Sequence, residues 1–382
     1  MQGRVFQRTP GRGKPWSFTV DLPRGADGRR RQRLKGGFRT KADAERALAE
    51  LLVAADHGLA VDPSRQTVAE YLRAWLADTA PSLRRTTSDL YRAAVENWIV
   101  PGLGGLPMQS VTPQHLQTLY RELLESGRAD GEGGLSPRSV RLAHQVLHSA
   151  FARAVDWRLL TRNPAAARLD LPQMKRAPLT TWTPEQARAF LAATEGDRLS
   201  ALWTLLLTTG LRRGEALGLR WQDVDLDKAR VSVNQTVVVS NGIIMVSEPK
   251  TAAGRRSVVL YHEMVEALKR HRRRQLEERL LLGPDWPESK LVFTTAVGTV
   301  IHPRNLGRDF RVAAARAGVP AIRLHDLRHT AATLALTAGA HPKQVQEMLG
   351  HARVAITLDV YSHVTPHMHE ETAEKIGRQL FG

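Results

Sequence analysis

The chain has no cysteine among its 382 residues. That excludes disulfides and thiolate metal sites, and it fits a reducing, cytosolic compartment. Aromatic residues make up only 5% of the chain, too few for a surface built mainly on base stacking. No run of about 18 apolar residues occurs, so no segment reads as a membrane-spanning helix. The opening residues, MQGRVFQRTPGRGK, are basic but lack the apolar stretch of a signal peptide. Acidic residues are scarce too, 38 against 55 lysines and arginines, which gives a net charge of +17 and a pI near 10.8. Such a balance points to a polyanionic partner, nucleic acid first and an anionic membrane surface second. No basic amphipathic helix with large apolar anchors supports the membrane.

What is present is enough apolar material, 42%, for real cores, and enough length for two or three domains. Residues 1–62 read as a small basic unit; its first 60 residues hold 13 lysines and arginines against 6 acidic residues. Trp16, Phe18, Val20 and Leu22 alternate with polar residues as in a half-buried strand, Gly25 to Gly28 forms a turn, and Arg29 to Phe38 forms a second strand. Thr40 and Asp43 open a helix with an apolar stripe of Ala44, Leu48, Leu51, Leu52 and Ala55, ended by Gly58. Residues 63–172 read as all helix. Thr67 and Glu70 form a capping box ahead of Val68, Tyr71, Leu72, Trp75 and Leu76. A helix through Leu90, Ala94, Val95, Trp98 and Ile99 stops at Pro101-Gly102, while Thr112-Pro113 and Ser136-Pro137 start two more. After Pro137, Val140, Ala143, Val146, Leu147, Ala150, Phe151 and Ala154 recur at core spacing. Arg84, Arg85, Arg138, Arg141 and Arg153 supply basic edges suited to a DNA backbone.

The prolines between Asn163 and Thr183 mark a linker, and 173–382 forms the last domain. It opens with a helix at Thr183-Pro184-Glu185 and stays helical to about Leu219. Strands follow at Val231–Val239, Ile243–Val246 and Ser257–Tyr261, with Asn241-Gly242 as a two-residue hairpin turn; the remainder is helical. The fold class expected is therefore mainly α with small β-sheets (α+β).

Four strings in the last domain carry the candidate chemistry: TGLRRGEALGLRW (209–221), EPKTAAGRRSVVL (248–260), LHDLRHTAATLAL (324–336) and MLGHARVAITLDVYSHV (348–364). They hold Arg212, Lys250, His325, Arg328, His351 and Tyr361. A guanidinium fork binds two phosphate oxygens at once, so Arg212 and Arg328 suit a phosphate clamp. Glu215, three residues past Arg212, shares its helical face and can hold it. Lys250 lies in a cation-rich turn that lowers an ammonium pKa. His325 and Arg328 sit at i and i+3 on one helix face. The i, i+4 pair His325 and His329 also matches a zinc spacing, but Asp326 stands where a glutamate belongs and no third ligand is evident. Tyr71, Tyr91, Tyr120 and Tyr261 read as packed tyrosines, and only Tyr361 follows the whole set.

Taken together, these strings resemble the tyrosine recombinase (phage integrase) family over most of the chain. The resemblance implies a basic arm-site-binding domain, a helical SAM-like core-binding domain and a mixed α/β-hairpin catalytic domain. It implies Tyr361 as nucleophile, Arg212 and Arg328 as clamps, Lys250 as the acid for the leaving oxygen, and His325 and His351 for proton transfer and hydrogen bonding. It further implies no cofactor, a double-stranded DNA partner with core and arm sites, and a homotetramer on DNA. A directionality factor and a host DNA-bending protein are implied as helpers, with no membrane partner and a place at the bacterial nucleoid. An Xer-like resolvase, a type IB topoisomerase-like strand transferase and a catalytically silent DNA-binding regulator remain alternatives.

Overall fold

A computed structural model describes residues 3–7, 16–22, 31–56, 64–174, 179–248, 254–350 and 377–381. Contacts divide the chain into two compact units, residues 1–175 and 176–382.

The first unit begins with an antiparallel sheet of β1 (Gly3–Gln7), β2 (Trp16–Leu22) and β3 (Arg31–Phe38), in that order. The alternation in β2 puts Phe18 and Val20 inside, with 0% and 1% exposure. They pack with Leu48 from α1 (Lys41–Asp56), and Phe18 stacks on Phe38 at 5.7 Å. Thr40 accepts a hydrogen bond from the Asp43 amide, the expected helix start. The strand β1 was not expected. Its apolar part is only Val5 and Phe6, too short for a periodic signal, and pairing with β2 supplies what local pattern lacks. The expected turn at Gly25 to Gly28 and the stop at Gly58 lie outside the described residues.

The helical part is built from α2 (Val68–Thr79), α3 (Arg85–Ala94), α4 (Val100–Leu103), α5 (Pro113–Ser126) and α6 (Pro137–Asp156). The Thr67–Glu70 capping box closes in both directions, and Thr112 and Ser136 cap their helices with side-chain oxygens. All seven apolar residues singled out in α6 are buried at 0% exposure. The Tyr71 hydroxyl donates to the Ala150 carbonyl at 2.6 Å, tying α2 to α6. Two expectations need correction. The helix does not stop at Pro101: it widens into a π turn at Val95–Ile99 and continues as α4, which contains Pro101. Leu90, assigned to the stripe, is 47% exposed. The linker is also shorter than expected. Asn163 caps a single turn at Pro164–Ala166, Ala165 is buried, and Leu169 and Leu171 pack on the helical core. Trp182, at the other end, is 1% exposed in the core of the second unit.

In that second unit α7 (Pro184–Ala193) and α8 (Ser200–Thr209) precede α9 (Arg213–Leu217). Nearly every side of α8 is buried, which makes it the central helix. Trp182, Phe190, Trp203 and Phe310 form an aromatic cluster with centroid distances of 4.9–6.2 Å. The apolar run Val231–Val239, expected as one strand, is two. The first, β5 (Arg230–Val233), lies between β4 (Val224–Asp225) and β8 (Arg256–Val259); the second, β6 (Thr236–Ser240), pairs with β7 (Ile243–Ser247) in a separate sheet. Polar residues at the junction break it: the Asn234 amide donates to Asp223 at 2.8 Å and the Gln235 amide to the Gly218 carbonyl at 2.7 Å. Asn241 and Gly242 both take positive φ, 49° and 77°, as the hairpin turn requires. The long α10 (His262–Leu282), α11 (Pro303–Arg316), α12 (Asp326–Thr337) and α13 (Pro342–Leu349) complete the described part, with a last helical turn at 377–381.

Candidate active site

Arg212 is positioned by the end of α8. Gly210 closes that helix in the left-handed region, φ 61°, and a Cβ there would lie 2.4 Å from Leu349 Cδ2. Replacing Gly210 with alanine is expected to cost about 2–4 kcal/mol, left-handed strain plus overpacking, in urea unfolding. A loss below about 0.5 kcal/mol would contradict this packing. The chain then turns extended at Arg212, the residue before α9. A guanidinium cannot cap a helix as an acceptor. Glu215 reaches back instead: Oε2 accepts the Arg212 amide at 2.9 Å, and Oε1 accepts Nη1 at 2.7 Å. The Arg212 side chain is 42% exposed and that of Glu215 only 3%. Arg256 at the start of β8 gives the same carboxylate a second cation, Nη2 to Oε2 at 2.9 Å. Burial pushes the Glu215 pKa up, but Arg256 and Arg212 outweigh it and hold the carboxyl below the usual range.

The start of α12 is fixed by Asp326, which accepts from the Arg323 amide, Nε and Nη2 at 2.8–3.0 Å. His325 stands just before the helix and Arg328 in its first turn. Arg328 is 3% exposed; Nη1 donates to the Gly210 carbonyl at 2.7 Å and Nη2 to the Leu349 carbonyl at 2.6 Å. His325 packs edge to face on His329, with centroids 5.5 Å apart. His325 is exposed to solvent. Even so, protein crowding around the ring, and then the charges of His329 and Arg328, hold its pKa below the ordinary histidine value.

Burial also depresses the pKa of His329, and of His271, which is 5% exposed with Nε2 2.8 Å from the Val292 carbonyl. Folded values below the unfolded one mean that the unfolded chain takes up protons first as pH falls. Stability from these groups is full above the unfolded pKa of about 6.5 and declines below it. The melting temperature is expected to be lower at pH 5.5 than at pH 7.5, with the difference reduced in His271→Phe. Equal melting temperatures would contradict this assignment.

The structure thus brings together Arg212, Glu215, His325 and Arg328: Arg328 bonds the residue two before Arg212, and the Arg212 charge reaches His325. Lys250, His351 and Tyr361 lie outside the described residues. His341 caps α13 through its side chain, a local role. Of the tyrosines expected to be packed, Tyr71 and Tyr120 are 1% exposed, Tyr91 stacks on Trp75 at 6.1 Å, and Tyr261, against expectation, is 41% exposed. In the sequence Arg256 reads only as one cation of the turn that follows Lys250. The available signal was its parity with Val258, which put a cation on the inward face of a strand.

Comparison with known proteins bears on the whole chain. Residues 181–368 match the phage integrase family, 5–55 an arm DNA-binding domain, and 67–124 a phage integrase N-terminal SAM-like domain. A tyrosine recombinase XerC-like protein of Caldanaerobacter subterraneus subsp. tengcongensis is 30% identical over 357 residues, 88% of this chain and 90% of that protein. An integrase of Streptomyces ambofaciens is 30% identical over 354 residues, 91% and 88% of the two chains. The fold matches a solved structure of the Tn1549 transposon integrase in complex with a circular intermediate DNA, at TM-score 0.66 and 23% identity, over 81% of this chain and 99% of that one. With a relative at this identity along nearly its full length, and three successive domain matches, the chain belongs to the phage integrase family of tyrosine recombinases.

Proposed function

We propose that this site-specific recombinase is the integrase of a mobile element, cutting and rejoining duplex DNA through Tyr361. The Tyr361 oxygen attacks the scissile phosphorus, the bond from phosphorus to the 5′ oxygen breaks, and a 3′-phosphotyrosyl link forms. Lys250 gives a proton to the leaving 5′ oxygen, and His325 takes the tyrosine proton. Arg212 and Arg328 hold the non-bridging oxygens, with His351 as a further donor. Preorganised cations at developing charge supply the main catalytic effect. The freed 5′ hydroxyl attacks the phosphotyrosine of a partner duplex, giving a four-way junction that the second pair of strands resolves. No step requires an external energy source, because each broken phosphodiester is stored as a phosphotyrosine.

The single observation that carries this reading is the pairing of an accessible, carboxylate-held Arg212 with Arg328 anchored beside it on the Gly210 carbonyl. A His325 pKa below its ordinary value adds support, since a neutral imidazole can accept the tyrosine proton at neutral pH. We assign residues 1–62 to arm sites, 63–172 to the core site and 173–382 to catalysis. Four protomers act together because exchange joins two duplexes, each cut at two half-sites. A directionality factor and a host bending protein are proposed helpers.

The test is a two-duplex assay in EDTA with DNA flanking the gene. Joined recombinants from wild type, lost in Arg212→Ala and Arg328→Ala, support the integrase. Relaxation of supercoiled DNA without recombinants would favour a topoisomerase-like enzyme, and tight binding with neither product a silent regulator.

A further inference from the structure

We infer that Arg256 is a positioning residue for strand cleavage, locking the Arg212 clamp to the helix end that leads into His351. This rests on the recombinase reading of the site. The Arg256 side chain is 7% exposed, and its guanidinium is divided among three acceptors on three segments. Nη2 donates to Glu215 Oε2 at 2.9 Å, Nε to the Met348 carbonyl at 2.7 Å, and Nη1 to the Gly254 carbonyl at 3.3 Å.

Each acceptor borders a different functional stretch. Glu215 holds Arg212 through both its amide and its guanidinium. Gly254 lies four residues after Lys250 in the sequence, two before the start of β8. Met348 is in the last turn of α13, three residues before His351. The final carbonyls of a helix have no partner within it. Arg256 takes the carbonyl of Met348 and Arg328 that of Leu349, and Gly350 then turns left-handed, φ 66°, toward His351. Arg328 in turn bonds the Gly210 carbonyl, two residues from Arg212. A closed circuit results: Arg212, Glu215, Arg256, the α13 end, Arg328, Gly210 and back along the chain to Arg212. A planar fork can serve three fixed acceptors in this way, whereas an ammonium on a flexible stem is a point charge.

The test compares wild type, Arg256→Lys and Arg256→Met in the full chain. Single-turnover formation of the covalent DNA adduct is followed on a nicked duplex across pH, alongside DNA affinity and melting temperature. Among the described residues, the charged groups facing Glu215 are Arg212 from its own turn and Arg256 from β8. Removing the Arg256 charge lets burial raise the Glu215 pKa, so in Arg256→Met the acid limb of the rate profile moves to higher pH. Arg256→Lys keeps the charge and the wild-type limb but loses the shared geometry, and cleaves about 10- to 100-fold more slowly at every pH. DNA affinity stays within about twofold in both, because phosphate contacts elsewhere carry it. An Arg256→Lys enzyme that cleaves at the wild-type rate overturns the inference, even if Arg256→Met fails to fold. So does a folded Arg256→Met enzyme that is slowed equally at all pH values. Absence of any adduct from wild type would instead overturn the recombinase reading itself.

Discussion

Replacing Tyr361 with phenylalanine is expected to remove covalent capture of a nicked duplex by a factor on the order of 10⁶, the scale of losing a catalytic nucleophile. The substitution deletes one oxygen, so DNA affinity should stay within about twofold, carried by phosphate contacts elsewhere. A free phenol has a pKa near 10 and is a poor nucleophile at neutral pH. On the proposed assignment, Arg212, Arg328 and Lys250 make it a better one by favouring the phenolate. The other tyrosines are poorly placed for that work. The Tyr71 hydroxyl donates to the Ala150 carbonyl and that of Tyr120 lies 3.0 Å from His144 Nδ1; burial pushes both pKa values well up. Tyr91 is half-buried against Trp75. Tyr261 is exposed, but burial of part of its side chain and then Glu263 raise its pKa as well. Tyr261→Phe is therefore the control that leaves the adduct intact. Adduct formation by Tyr361→Phe within about tenfold of wild type would contradict the assignment, because no loss of a nucleophile is so mild.

The largest effect on stability is expected from Glu215→Ala. Arg256 and Glu215 form a buried pair, with side chains 7% and 3% exposed. Removing the carboxylate leaves the Arg256 charge inside without its partner, which costs about 3–5 kcal/mol. For a unit of this size that lowers the melting temperature by roughly 6–20 °C. Arg213→Ala is the contrast. That side chain is exposed, donates to the Pro303 carbonyl at 3.3 Å, and its loss should shift stability by less than about 0.5 kcal/mol. Calorimetry on the full chain reads both. A Glu215→Ala melting temperature within about 2 °C of wild type would mean that the Arg256 charge is solvated by some other route.

Much of this fold was legible because its signals are local. Capping boxes at Thr67 and Thr183 involve residues three apart, and α6 displays its buried face at fixed spacing. The Arg212–Glu215 pair was legible for the same reason. Features set by distant partners were not. The split of Val231–Val239 depends on Asp223 and Gly218 drawing Asn234 and Gln235 out of the strand. Trp182 sits among prolines in the sequence, but its indole donates to the Pro320 carbonyl at 2.8 Å and its amide to Thr330 Oγ1 at 3.2 Å, contacts more than 130 residues away. The anchoring of Arg328 on Gly210 and Leu349 likewise spans segments far apart in the chain. Six motif residues in order could suggest the chemistry; the circuit through Arg256 required three dimensions.

The most direct measurement is to locate the DNA on the protein. Wild-type chain is trapped on a nicked duplex in EDTA, the SDS-stable adduct is digested with nuclease and trypsin, and the nucleotide-bearing peptide is sequenced. A single modified peptide spanning 354–375 is expected, with the nucleotide on Tyr361. A nucleotide on Tyr261 or any other residue, or an adduct that forms only when a divalent metal is added, would contradict it.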